Sequence, residues 1–124
     1  MLGKFGDNGE LWFEVELVAA TGERFAVDAL LDTGFTTGFL AIHKQDLEAL
    51  QWSLIDRAIK METARGDAFF DIYEGKIVID GEEATIPVHV GEKIPEYLIG
   101  AQWLELMELR VNKGDGILIL SRII

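Results

Sequence analysis

Apolar residues alternate with their neighbours in two successive segments near the start of the chain, and this two-residue period is the strongest constraint on the fold. A turn at residues 21–23 (Thr-Gly-Glu) separates the two segments. Such a period is typical of strands with one buried face. The alternating apolar positions are Leu11, Phe13, Val15 and Leu17, then Phe25, Val27, Ala29 and Leu31. They predict two adjacent half-buried strands.

Short apolar runs between turns continue along the rest of the chain. They predict strands at 39–42, 71–80, 84–90, 98–100 and 117–120. Leucine spacings of three and four predict a short helix at 44–54, and the apolar positions of 101–109 predict a second one. Many short strands with a turn roughly every 8 to 12 residues are typical of a barrel or sandwich. The pattern therefore predicts an all-β fold with one or two short helices.

Length and charge limit the possible functions. A chain of 124 residues fits a single domain, 1–124, with no room for a second full lobe. The formal net charge of -11 argues against nucleic acids and anionic membranes as partners. The sequence contains no cysteine, which excludes a disulfide framework, a thiolate metal site and a cysteine nucleophile. With neither a signal-peptide pattern nor a membrane-length apolar run, a cytoplasmic protein is the default expectation.

The segment that carries chemistry is Asp32-Thr33-Gly34, which directly follows the second alternating strand. A carboxylate at the end of a buried strand has an environment that can shift its pKa. Glycine permits close approach of backbone or ligand, and the Thr33 hydroxyl can fix the loop by hydrogen bonding. All three residue types also suit an ordinary turn, so the tripeptide alone leaves both interpretations open.

The context of this tripeptide resembles the active-site signature of retropepsin-like aspartic proteases. An apolar strand precedes Asp32, and Thr36 and the apolar run 39–42 follow it. Residues 97–100 (Tyr-Leu-Ile-Gly) are similar to the family's second hallmark, two apolar residues and a glycine before a helix. The polar tip at 62–68 stands where the family carries its flap. The resemblance implies a closed β-barrel that forms a single lobe of the acid-protease fold.

It also implies roles for individual residues. Asp32 would be catalytic, and Thr33 and Gly34 would support the active-site loop. The flap and substrate-binding residues would be Ala64, Arg65, Gly66 and Asp67. Phe35 departs from the family, in which alanine commonly follows the triad.

Aspartic proteolysis uses two carboxylates that share a proton, without a metal or another cofactor. This chain has one Asp-Thr-Gly. We therefore expect a homodimer in which the two Asp32 residues meet at the twofold axis and cut an extended peptide or unfolded protein. Two alternatives remain: a retropepsin-like peptide-binding module with little or no proteolysis, and a purely structural β domain in which the triad is accidental.

Histidines offer a weaker candidate site. His43 and His89 are the only two, and neither has neighbours at metal-ligand spacing. We expect surface or hydrogen-bonded side chains, and no metal site.

Overall fold

The structure of the protein is a computed structural model that describes residues 1–63 and 66–123. Ten strands and one short α-helix, α1 (Leu47–Leu50), make up the described elements, with 3-10 helices at Lys44–Asp46 and Ala101–Glu105. The strands are β1 (Lys4–Phe5), β2 (Leu11–Val18), β3 (Arg24–Asp32), β4 (Leu40–His43), β5 (Ser53–Thr63), β6 (Gly66–Ile79), β7 (Glu82–Gly91), β8 (Tyr97–Gly100), β9 (Met107–Asn112) and β10 (Ile117–Arg122). The all-β prediction is confirmed.

Strand pairing runs in a circuit. The large sheet has the order β1-β2-β3-β8-β4-β7-β6-β5, and β2 also pairs with β6, so that the pairings from β2 through β6 return to their starting strand. β3 and β8 are parallel, as are β4 and β7. β9 and β10 form a separate antiparallel pair. The strand ends at which β3 and β8 run side by side are the ones that carry Asp32 and Gly100.

The core confirms the two-residue period of the first strands. Phe13, Val15 and Leu17 of β2 are buried, as are Ala29 and Leu31 of β3. They pack in one large cluster with residues of β4, β6, β7, β8 and β10. Burying these alternate positions is the main force that fixes the register of β2 against β3, because a slip of one residue would turn the whole apolar face outward.

A second, smaller cluster connects different elements. We call it the hairpin cluster, since it includes both strands of the β5–β6 hairpin. Its buried members are Ala41, Phe70 and Ile94, and Phe35, Met61, Ala68 and Leu98 pack against them. Phe35 lies in the segment between β3 and β4, so this cluster joins the hairpin to the segment that contains the Asp-Thr-Gly motif.

Both predicted helices are too long. In place of a helix at 44–54, a 3-10 turn leads into α1, which ends at Leu50. The next residue, Gln51, has a left-handed backbone with φ of 54°. In place of a helix at 101–109, the 3-10 helix ends at Glu105 and β9 begins at Met107. Pairing of β9 with β10 thus determines the structure there, against a local helical spacing.

Three strands were missed: the two-residue β1 and, for a shared reason, β5 and β9. β5 is an edge strand with exposed residues at Ser53–Arg57, and β9 is mostly exposed after Met107. Neither has a run of alternating buried apolar positions, so the two-residue period cannot reveal them. Pro87, by contrast, occupies the kind of position expected for it: it faces Glu74 of β6, and pairing of β7 with β4 starts only at Val88.

Trp103 fixes the segment between the motif and β4, and this contact yields a first prediction. Its side chain is buried, its Nε1 donates a hydrogen bond of 2.8 Å to the Phe39 carbonyl oxygen, and the two rings meet edge to face. We expect Trp103→Phe to lower the free energy of unfolding by about 1–3 kcal/mol, because the Phe39 carbonyl loses its partner. Denaturant titration measures this change.

Trp12→Phe is the matched control. Trp12 is half-buried, and its indole makes no hydrogen bond recorded among residues 1–63 and 66–123. Equal losses of stability in the two variants would contradict a specific role for the Trp103 hydrogen bond.

Candidate active site

Asp32 is the last residue of β3, and its position follows from the strand that carries it. Ala29 and Leu31 anchor β3 in the core, and Asp32 pairs in parallel with Gly100 at the end of β8. The Asp32 side chain is half-buried, whereas Thr33 and Gly34 are exposed. The half-buried strand β3 thus holds a carboxylate at the boundary between core and solvent.

Hydrogen bonds order the motif as a tight turn. The backbone N–H of Gly34 donates to Asp32 Oδ1 at 2.9 Å, and the N–H of Phe35 donates to the Asp32 carbonyl at 3.1 Å. The N–H of Ala101 in turn donates to the Phe35 carbonyl at 2.9 Å. The turn interpretation of the tripeptide is therefore correct as local geometry. It is compatible with a functional role, because the same turn orients the carboxylate.

Two glycines let the loop approach β8. The N–H of Gly100 donates to the Phe39 carbonyl and that of Gln102 donates to the Gly38 carbonyl. A Cβ on Gly100 would collide with the Gly38 carbonyl oxygen, and a Cβ on either glycine would meet the Phe35 ring. Gly100 has φ of -94°, which any residue can adopt, so packing alone requires glycine there.

The predicted flap lies at the tip of the β5–β6 hairpin. Gly66 pairs with Thr63 and Asp67 pairs with Glu62. Gly66 has φ of 102°, a left-handed backbone that favours glycine. Ala64 and Arg65, the other two predicted flap residues, lie outside the described residues. The hairpin base reaches the motif through the hairpin cluster.

His89 is the residue near the motif that sequence reasoning misplaced. It is neither on the surface nor fully hydrogen-bonded: only 8 % of it is exposed, and its Nδ1 is buried with no hydrogen-bond partner among the described residues. Its ring lies edge to face against Phe35 at 5.0 Å and Phe70 at 5.8 Å. Burial lowers the pKa of His89 below its ordinary value of 6.5. The sequence signal for its burial was its position inside the apolar run 84–90, which predicted a strand.

The described part of the chain contains no group of three or more His, Asp or Glu side chains placed to hold a metal ion. None of its helices has the length and apolar character needed to cross a membrane. The groups that the site presents are one half-buried carboxylate, exposed hydroxyls and backbone N–H groups.

Comparison with solved structures identifies the fold. The chain is similar to a retropepsin-like aspartic protease from Rickettsia conorii, with a TM-score of 0.66 and 20% identity over 98% of this chain and 89% of that one. It is also similar to EIAV protease complexed with the inhibitor HBY-793, with a TM-score of 0.63 and 14% identity over 82% of this chain and 91% of that one. No family model and no curated protein sequence matches. The chain therefore has the retropepsin-like fold, as the resemblance implied.

The close packing at Gly100 yields a second prediction. We expect Gly100→Ala to lower the free energy of unfolding by about 1–3 kcal/mol, because the new methyl group must displace the Gly38 backbone or the Phe35 ring. The displacement should also appear as chemical-shift changes at the amides of Phe35 and Gln102, measured by NMR.

Gly114→Ala is the matched control, since a Cβ there meets only the Asn112 Oδ1 at 3.5 Å. A Gly100→Ala variant as stable as Gly114→Ala, with unchanged amides in the loop, would show that the close approach is not required.

Proposed function

We propose that the protein is a homodimeric aspartic endopeptidase in which residues 1–124 act as one domain and two Asp32 carboxylates form the catalytic pair. The observation that carries the proposal is the position of Asp32: in a retropepsin-like fold it ends a buried strand and accepts a hydrogen bond from Gly34 in an exposed loop. This is the one Asp-Thr-Gly of the chain.

The chemistry requires both carboxylates. In the dimer, one ionised Asp32 takes a proton from a water molecule, and the protonated Asp32 of the other copy donates a hydrogen bond to the scissile carbonyl oxygen. The water oxygen attacks the carbonyl carbon, and the proton is passed on to the leaving amine as the C–N bond breaks. Two carboxylates in contact cannot both ionise at low cost, so the pair titrates as a unit.

Exposed apolar side chains support dimer formation through the β9–β10 pair. Leu2, which bridges to Ile119 of β10, is 80% exposed, and Ile123 just after β10 is 60% exposed. Leu106, which lies just before β9, is also exposed. The other face of β10 carries the buried Leu118 and Leu120. We infer that one face of this pair completes the core and that the outward face meets the second copy.

Substrate binding is assigned to the loop and the hairpin. Thr33 is exposed, as needed for a hydrogen bond to the partner copy. The hairpin tip around Ala64, Arg65, Gly66 and Asp67 would close over an extended peptide and pair with its backbone. Extended peptides or unfolded proteins are therefore the proposed substrates.

Phe35 bears on the alternative, a peptide-binding module without proteolysis. Gly38 and Gly100 make room for its ring, which packs against His89 and within the hairpin cluster. The fold thus accommodates the bulk of Phe35, so this residue does not by itself argue for the binding module.

Replacement of Asp32 tests the function. Asp32→Asn should lower the rate of peptide cleavage by about 10²-fold or more, because an amide can neither take a proton from water nor hold the shared proton. Mass spectrometry of oxidised insulin B chain, incubated with the protein from about pH 4 to about pH 7, detects the fragments. Asp28→Asn, an exposed aspartate on the same strand, should cleave like the wild type. Equal cleavage by Asp32→Asn and the wild type would overturn the proposal. Peptide binding by the wild type without any cleavage would instead support the peptide-binding module.

The charge of the chain predicts how the dimer responds to pH. Each copy carries a formal charge of -11, so two copies repel, and protonation of carboxylates reduces this repulsion. We expect the dissociation constant of the dimer to fall as the pH decreases from about 7 to about 5, as measured by analytical ultracentrifugation at low salt. A dissociation constant that rises or stays constant over this range would contradict the expectation.

A further inference from the structure

His89 is the one buried polar side chain among residues 1–63 and 66–123 for which burial is described, and it stands between two parts of the candidate site. Phe35, three residues after Asp32, touches one side of its ring, and Phe70 of the β5–β6 hairpin touches another. The interplanar angles are 89° and 72°, so both contacts are edge to face. His89 therefore connects the Asp32 loop to the hairpin.

These contacts suit a neutral ring. Nδ1 is buried without a hydrogen-bond partner among the described residues, so a proton added there would be neither solvated nor paired. Burial is the cause that lowers the pKa of His89, without a contribution from a neighbouring charge. The intact cluster thus favours the uncharged imidazole.

The elements packed against His89 carry several titratable groups. On β7, His89 pairs with Ala41 of β4 and Ile72 of β6. His43 and Glu74 lie two positions along those strands and share the same faces, while Asp71 and Tyr73 lie on the opposite face of β6. The segment that presents Phe35 begins at Asp32. The aromatic rings against His89 are the phenyl rings of Phe35 and Phe70.

We propose that neutral His89 is a positioning residue, which holds the Asp32 loop against the β5–β6 hairpin and so sets the acid limit of substrate binding. This inference rests on the proposed function, because it assigns the substrate to the space between loop and hairpin. As the pH falls below 6.5, the closed cluster becomes less favourable relative to an open one in which the ring is solvated and protonated. The hairpin then detaches from Phe35, and peptide binding weakens.

Steady-state kinetics provide the first test, with the oxidised insulin B chain as the probe. For the wild type we expect KM to rise by about fivefold or more between about pH 6.5 and about pH 4.5, since one pKa unit corresponds to a tenfold change in population. His89→Phe keeps an aromatic ring but cannot titrate, so its KM should stay constant over this range. His89→Leu is a second non-titrating variant in case the larger ring does not fit. The pH dependence of kcat should be the same in all variants.

His43→Gln is the matched control, because it removes the other histidine and leaves the hairpin cluster intact. It should retain the rise in KM of the wild type. A rise in KM of equal size in His89→Phe or His89→Leu would overturn the proposal, and so would a constant KM in the wild type.

Hydrogen exchange separates this inference from the proposed function, because it requires no cleavage. As the pH decreases below 6.5, the protection factors of the Phe35 amide and of the paired β5–β6 amides should decrease in the wild type and in His43→Gln. They should not decrease in the His89 variants. Protection that is equally pH-dependent in all four proteins would overturn the role of His89. Equal cleavage by Asp32→Asn and the wild type would instead overturn the proposed protease function, whatever the exchange data show.

Discussion

The close approach of the Gly38 backbone to Gly100 is the contact on which the candidate site depends. Parallel pairing of β3 with β8 brings Asp32 level with Gly100, and the absence of a Cβ there lets the returning loop lie against β8. The loop is then closed by hydrogen bonds from Gly100, Ala101 and Gln102. A single side-chain atom at Gly100 would push the loop away, so the carboxylate is positioned by backbone packing rather than by an ion pair.

Strands that bury alternate residues could be predicted from the sequence. β2 and β3 each bury alternate residues, and their bounds lie within a residue or two of the predicted ones. β5 and β9 show no such alternation, because their neighbours rather than their own apolar faces hold them in place. The motif at Asp32 could be recognised because its residues are contiguous in the sequence. The contacts of His89 with Phe35 and Phe70 were not, because these residues are far apart in sequence and only the β4-β7-β6 pairing brings them together.

Phe35 illustrates how the fold changes the meaning of a residue. Beside the Asp-Thr-Gly motif a phenyl ring suggests obstruction, yet two glycines leave the space that the ring fills. Once seated, the ring extends the apolar contacts of the loop to β7 and to the hairpin. A smaller residue at position 35 would give up these contacts and leave a cavity beside His89. The departure from the family pattern is thus matched by a local set of compensating residues.

Acid has two opposing effects on such a molecule. Protonation of surface carboxylates reduces the repulsion between two copies that each carry a charge of -11, and it supplies the single proton that a carboxylate pair must share. The buried imidazole of His89 works in the opposite direction, because the packed cluster excludes the charged form. In the proposed dimer, assembly would therefore improve with acid while the contact between the Asp32 loop and the hairpin would weaken. If the proposed dimer and the proposed role of His89 both hold, the acidic surface would limit activity towards neutral pH and His89 would limit it towards low pH.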